Sequence, residues 1–138
     1  MRVHATTVAI GESAVMILGA SGAGKSDLAL RLIDRGAMLV ADDYTELSVV
    51  DGALLARPPA TIAGRIEVRG IGIVSLPFRS PVRVALAIRL DAEERMPDPR
   101  MVPIAGVALP EVTIDPHPAS APIKVELALE AAAETWER

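Results

Sequence analysis

The apolar positions of this chain change their spacing several times, and each change predicts an element. Arg2–Ile10 alternates loosely, as a half-buried strand does, and Gly11 turns it. Ala14–Leu18 is a short unbroken apolar run, the pattern of a buried strand. Gly19–Ser26 is rich in glycine, and beyond it Leu28, Leu32 and Ile33 recur at helical spacing, with Gly36 where a helix C-cap belongs. Met38–Ala41 reads as a further strand, stopped by Asp42-Asp43. Strand, glycine loop, helix, strand is the order of an α/β fold.

After Tyr44 strand signals dominate. Leu47–Val50 and Ala53–Ala56 flank Asp51-Gly52, a pair suited to a tight hairpin turn. Arg65–Val68, Ile71–Leu76 and Val82–Leu90 are predicted strands. Asp91–Pro103 carries three prolines among many charges and reads as an exposed loop. Pro110–Pro122 holds four prolines and predicts an extended, irregular crossing of the surface. Val125, Leu129, Ala132 and Trp136 then recur at helical spacing. The expected fold is α/β, with a mixed, strand-rich central sheet and a C-terminal helix. No repeat appears, so residues 1–138 are expected to form one domain.

Composition narrows the picture. The only aromatic side chains are Tyr44, Phe78 and Trp136, so Ala, Val, Ile and Leu must fill the core of this 138-residue chain. A net charge of −4 with no basic run argues against nucleic acid or an anionic membrane as partner. The absence of cysteine excludes disulfides and thiolate metal sites. The longest apolar stretch, Ala14–Ala20, is far short of the ~20 residues of a membrane span. Met1-Arg2-Val3-His4 has no signal-peptide core, and a cytoplasmic location is expected.

The chemistry begins at Gly19-Ala20-Ser21-Gly22-Ala23-Gly24-Lys25-Ser26, which matches G-x-x-x-x-G-K-[ST] at every fixed position. Glycines let the backbone fold inward so that its N–H groups surround a phosphate chain. The following helix aims its positive end at the same anion. Lys25 can neutralise β- and γ-phosphates, and the Ser26 hydroxyl can ligate Mg²⁺. A strand before and a helix after separate this match from a chance one.

Asp42 and Asp43 close a predicted strand, a place that lies beside the phosphates in P-loop folds. Strand residues alternate faces, so the two carboxylates are expected to point differently, one toward metal and one toward the attacking hydroxyl. Glu67 and Arg69 are expected on one face of a strand, where they could serve metal and phosphate, although by spacing alone a solvated pair is the favoured reading. By spacing alone His4 is a surface histidine at the start of the first strand, Arg95 one of a solvated charge cluster, and His117 a loop residue between prolines. A small-molecule kinase would need basic residues to anchor an anionic acceptor, and these are few. A nucleotide sensor without turnover is disfavoured by the presence of Lys25, Ser26, Asp42, Asp43 and Glu67 together.

From His4 to about Ile114 the chain resembles the catalytic domain of HPr kinase/phosphorylase. The resemblance rests on His4 ahead of the P-loop, on G-A-S-G-A-G-K-S, on R-G-x-x-L-V-A-D-D at Arg35–Asp43, and on E-V-R-G-I-G-I at Glu67–Ile73. It implies an ATP- and Mg²⁺-dependent kinase acting on a serine of HPr or an HPr-like phosphocarrier of the phosphotransferase system. Under it Lys25 and Ser26 keep their phosphate and metal roles, and Asp43 accepts the serine proton. Asp42 helps arrange metal and nucleophile, and Glu67 is a second metal contact. His4 and Arg69 become active-site residues, and Arg95 matches an arginine on an active-site loop. Three departures stand out. The family's usual N-terminal domain has no counterpart, as in its short form. Ser75 stands where Asp usually follows the signature. A Gly-Arg-Asn segment of the longer forms is missing from Pro116–Pro122. Reduced or absent phosphorylase activity is therefore expected, and hexamer formation is in doubt, although a homo-oligomer stays open.

Overall fold

The computed structural model describes the backbone of residues 1–136 and the side chains of residues 1–133. Its strands are β1 (Arg2–Val3), β2 (Ala5–Ile10), β3 (Ser13–Leu18), β4 (Met38–Ala41), β5 (Thr45–Val50), β6 (Ala53–Arg57), β7 (Arg65–Val68), β8 (Gly72–Ser75), β9 (Val82–Leu90), β10 (Arg100–Ile104) and β11 (Val107–Ile114). The helices are α1 (Lys25–Asp34) and α2 (Ala121–Trp136), with a short 3₁₀ turn at Ala60–Ile62. Nine strands form one mixed sheet in the order β1-β5-β6-β9-β3-β2-β4, and β11 adds to β9 with β10 outside it. β7 and β8 form a separate two-stranded hairpin.

The central strands are buried on both faces, and their alternation divides the core. Val8, Val15, Ile17, Leu86 and Ile88 pack on one face with Leu28, Ala29 and Leu32 of α1 and Val125, Leu129 and Ala132 of α2. Ala9, Ala14, Met16, Val40, Val82 and Val84 face the other way, into a cluster that also takes Leu47, Leu54 and Leu109. That second cluster is built from strands alone, and its small Ala side chains let them approach closely. The predicted face of α2 is realised at Val125, Leu129 and Ala132, while the side chain of Trp136 lies outside the described residues.

Three expectations need correction. The strand expected over Arg2–Ile10 breaks at His4, because β1 pairs with β5 whereas β2 pairs with β3 and β4. The loop expected over Asp91–Pro103 and the irregular crossing expected from Pro110 instead contain the β10–β11 hairpin. Proline is tolerated there because Pro103 lies on an outer strand and Pro110 precedes the β9 ladder, which begins at Glu111. The turn of that hairpin, Ala105-Gly106, has φ of 51° and 80°, nearly repeating Asp51-Gly52 at 51° and 78°. Finally, Arg69 sits in the turn between β7 and β8 and not on a strand, since pairing closes at Val68 opposite Gly72.

Candidate active site

The phosphate loop leaves β3 at Leu18 and enters α1 at Lys25. Gly22 and Gly24 have φ of 81° and 102°, a region that disfavours any Cβ. Gly19 is needed for space, because a Cβ there would stand 3.2 Å from Ala23 Cβ and 3.3 Å from Leu90 Cβ. Lys25 is only 6% exposed, and its Nζ donates to the carbonyls of Gly19 at 2.8 Å and Ala20 at 3.0 Å. An ammonium has three N–H groups, so one remains for an anion inside the loop.

The acids arrive from β4, and a register shift decides how. β2 and β4 pair Val8 with Leu39 but Thr7 with Ala41, which leaves Val40 as an extra residue. Strict alternation from Leu39, which faces α1, would turn Asp42 away from the phosphate loop. The bulge restores it to the α1 face, as bulges beside active sites commonly do. Asp42 Oδ1 then accepts from Ser26 Oγ at 2.6 Å and Thr6 Oγ1 at 3.0 Å. Its Oδ2 accepts from the backbone N–H of Glu67 at 3.0 Å. Asp42 is buried and tied by these bonds to α1, β2 and the β7–β8 hairpin.

Asp43 differs in every respect. Its backbone is left-handed, with φ of 67°, and its side chain is 60% exposed. Its carboxylate lies 2.9 Å from His4 Nε2, where the ring N–H donates. His4 reaches it because the chain breaks between β1 and β2, and the Tyr44 ring lies beside the imidazole at a centroid distance of 5.3 Å.

The residues meet around an open cleft of about 610 Å³. Its lining takes His4, Asp43, the phosphate-loop residues Ser21, Gly22, Gly24, Lys25 and Ser26, and Glu67, Arg69, Gly70 and Ile71 of the hairpin. The Glu67 carboxylate and the Arg69 guanidinium are exposed and make no ion pair among the described residues. Arg95 does not line the cleft and sits on the exposed stretch after β9.

Sequence reasoning missed two residues. Thr6 is fully buried, donates to Asp42 and accepts from the N–H of Asp43 at 3.2 Å. Two adjacent threonines inside a buried strand were the available signal, since buried hydroxyls need partners. The second is Arg31 of α1, which donates to the carbonyls of Pro116 and Pro118 and so pins the proline-rich stretch to the helix. Beside it, Lys124 and the N–H of Asp115 both donate to Glu93 and hold its carboxyl below the ordinary range. The N–H and the ring of His117 do the same to Asp115.

Comparisons with known proteins agree with one another. The family described as HPr Serine kinase C-terminal domain matches residues 1–137. The HPr kinase/phosphorylase of Clostridium beijerinckii is 43% identical over 75 residues, which are 54% of this chain and 25% of that protein. HPr kinase/phosphorylase 1 of Oceanobacillus iheyensis is 34% identical over 131 residues, covering 84% of this chain and 42% of that protein. The chain thus spans between a quarter and under half of the length of these two relatives. The solved structure of the Hpr(Ser) kinase/phosphatase from Coxiella burnetii superposes with a TM-score of 0.87 at 29% identity, over 100% of this chain and 99% of that one.

Proposed function

The chain belongs to the HPr serine kinase C-terminal domain family, and from that premise we propose that it is an ATP- and Mg²⁺-dependent kinase. Its acceptor would be a serine of HPr or an HPr-like phosphocarrier. The observation that carries this reading is the unequal state of the two acids. Asp42 is buried with its oxygens occupied, whereas Asp43 offers a half-exposed carboxylate to the cleft shared with Lys25 and Ser26. A base must reach an incoming hydroxyl, which of these two acids favours Asp43.

The residues fit the nucleotide and its metal. Positive φ at Gly22 and Gly24 turns the loop inward, and Lys25 keeps one N–H for a phosphate. Ser26 gives its proton to Asp42 and so keeps its lone pairs for a cation. Among the described residues no three His, Asp or Glu side chains gather to hold a metal. Mg²⁺ at this place would therefore take most of its ligands from phosphate oxygens and water, as it commonly does beside nucleotides. Ser26 would be one protein ligand and Glu67 a second, with Asp42 acting through Ser26.

ATP would supply the phosphoryl group, and Mg²⁺, when held by Ser26 and Glu67, would spread the phosphate charge. Asp43 takes the proton of the acceptor serine, and His4 orients that carboxylate through their hydrogen bond. Lys25 of the phosphate loop and Arg69 of the hairpin turn, which both line the cleft, would neutralise charge on the moving group. The serine Oγ–P bond forms as the bond to the ADP oxygen breaks. The test is incubation with labelled ATP, Mg²⁺ and the HPr-like protein of the same source, followed by mapping of the phosphosite. Label on a serine of the carrier is expected, and transfer to small hydroxyl compounds alone would overturn the reading.

A further inference from the structure

The parallel strands β3, β9 and β11 end together, and the phosphate loop is one of three connections that leave their carboxyl ends. Ligands of such sheets lie in the crevice outside those ends. The acids and the hairpin mark one flank of the loop, toward β2 and β4, and that flank holds the groups for transfer. On the other flank Leu90 packs against Gly19, and Pro116 stands 3.6 Å from where a Cβ of Gly24 would be. A triphosphate that crosses the loop with its reacting end toward Asp43 would carry its nucleoside end toward this second flank, beyond the residues that line the cleft.

We propose that Asp115–Ser120 is the wall of the nucleoside end of the ATP site, with the His117 imidazole as a flat surface for the purine. The inference rests on the kinase reading and names where that nucleotide's base goes.

The segment has no helix or strand, yet it is held at several points. Arg31 donates to the carbonyls of Pro116 and Pro118. The Asp115 carboxylate accepts from the N–H of His117 at 3.0 Å and from its Nδ1 at 2.7 Å, which fixes the ring relative to the chain. The N–H of Asp115 donates to Glu93 at 3.1 Å, and Lys124 anchors Glu93 at 2.8 Å. Pro116 is buried beneath while the His117 side chain is 88% exposed. An immobilised backbone presenting an exposed ring is preorganised for a planar ligand, which lowers the entropy cost of binding. The other described aromatic rings are spent elsewhere. Tyr44 lies on His4 at the transfer flank, and Phe78 packs beside Gly64 near the base of the β7–β8 hairpin.

The experiment compares two ligands by calorimetry in the presence of Mg²⁺: ATP, and inorganic tripolyphosphate, which has the phosphates without the nucleoside. His117→Ala should weaken ATP about 5- to 30-fold, the lower part of the range for stacking a base on a ring. Tripolyphosphate should change less than about 2-fold, and His117→Phe should hold ATP nearly as well as the parent protein. In the kinase assay His117→Ala should raise the KM for ATP and leave kcat unchanged. Equal ATP affinity in parent and His117→Ala would overturn the proposal, as would equal weakening of both ligands, or a His117→Phe protein as weak as the alanine variant. A parent protein that binds tripolyphosphate but gains nothing from the nucleoside would overturn the wall while leaving the phosphate loop standing. Failure to bind either ligand would instead overturn the kinase reading itself.

Discussion

At the scale of single residues, the proposed function divides the site into groups that would touch the reaction and groups that would aim them. Lys25→Ala should abolish transfer, and because Lys25 is buried on two loop carbonyls it should also lower stability by about 1–3 kcal/mol. Urea unfolding alongside the rate assay checks both parts. Asp43→Asn should keep Mg-ATP binding in calorimetry and lose ~10²–10⁴-fold in rate, because it removes a proton acceptor and little else. Thr6→Val removes the hydroxyl that joins the two acids, so kcat should fall about 10-fold or more while the KM for ATP moves little. Thr6→Ser, which keeps the hydroxyl, should recover most of that loss, and equal defects in both variants would assign Thr6 to packing alone. The acid pair itself was legible from its place after a strand. The direction of each acid was not, because the bulge at Val40 depends on the pairing of β2 with β4, and local sequence does not carry pairing register.

Among the elements, turns that declare themselves were readable and those that do not were missed. Asp51-Gly52 predicted its hairpin, while Ala105-Gly106 makes nearly the same turn with a residue that seldom adopts positive φ. Prolines near β10 and β11 argued for loops, and only the sheet shows that these positions need no ladder hydrogen bond. The segment after β11 was read correctly as irregular from its prolines, but its neighbours were invisible, since Arg31 lies 85 residues from Pro116 in sequence. Its anchoring has a pH consequence. Glu93 and Asp115 both have carboxyls held below their ordinary pKa in the folded chain. Their contribution is therefore complete above the unfolded values and is lost as pH falls through the lower folded ones. Below about pH 4 the segment should loosen. Lower protection from hydrogen exchange over residues 115–120 at pH 3.5 than at pH 7, each measured relative to the intrinsic rate at that pH, with the sheet still protected, is the outcome to look for. Lys124→Met should bring that loosening to higher pH, since it removes the main cause of the Glu93 shift.

For the whole molecule, what matters is which flank of the phosphate loop carries charge. The transfer flank holds Lys25, Arg69, Asp43 and Glu67 around the cleft. The opposite flank is closed by Pro116–Pro122, whose three prolines supply no N–H and which contains no arginine. One guanidinium does reach this segment, but Arg31 directs it at the carbonyls of Pro116 and Pro118, with Asp27 3.1 Å from its Nε. Lys124 is likewise engaged by Glu93, and Arg95 lies outside the cleft. A wall of proline and imidazole can hold a base, yet it offers little to a bare phosphate ion, which wants a fork of donors. Under the proposal the forward reaction would bring its own nucleoside to that wall. Phosphorolysis, in which inorganic phosphate attacks phosphoserine to give pyrophosphate, would bring none, and it would have to gather dense negative charge with Lys25 and Arg69 as the cationic side chains among the residues that line the cleft. We therefore expect phosphorolysis to be at least ~10-fold slower than kinase turnover, equivalent to about 1.4 kcal/mol of missing transition-state stabilisation. The measurement gives the protein serine-phosphorylated HPr with millimolar phosphate and no ATP, and follows pyrophosphate. Release at a rate matching forward transfer would mean that Lys25 and Arg69 suffice for both directions and that a flank whose cations are already engaged imposes no preference.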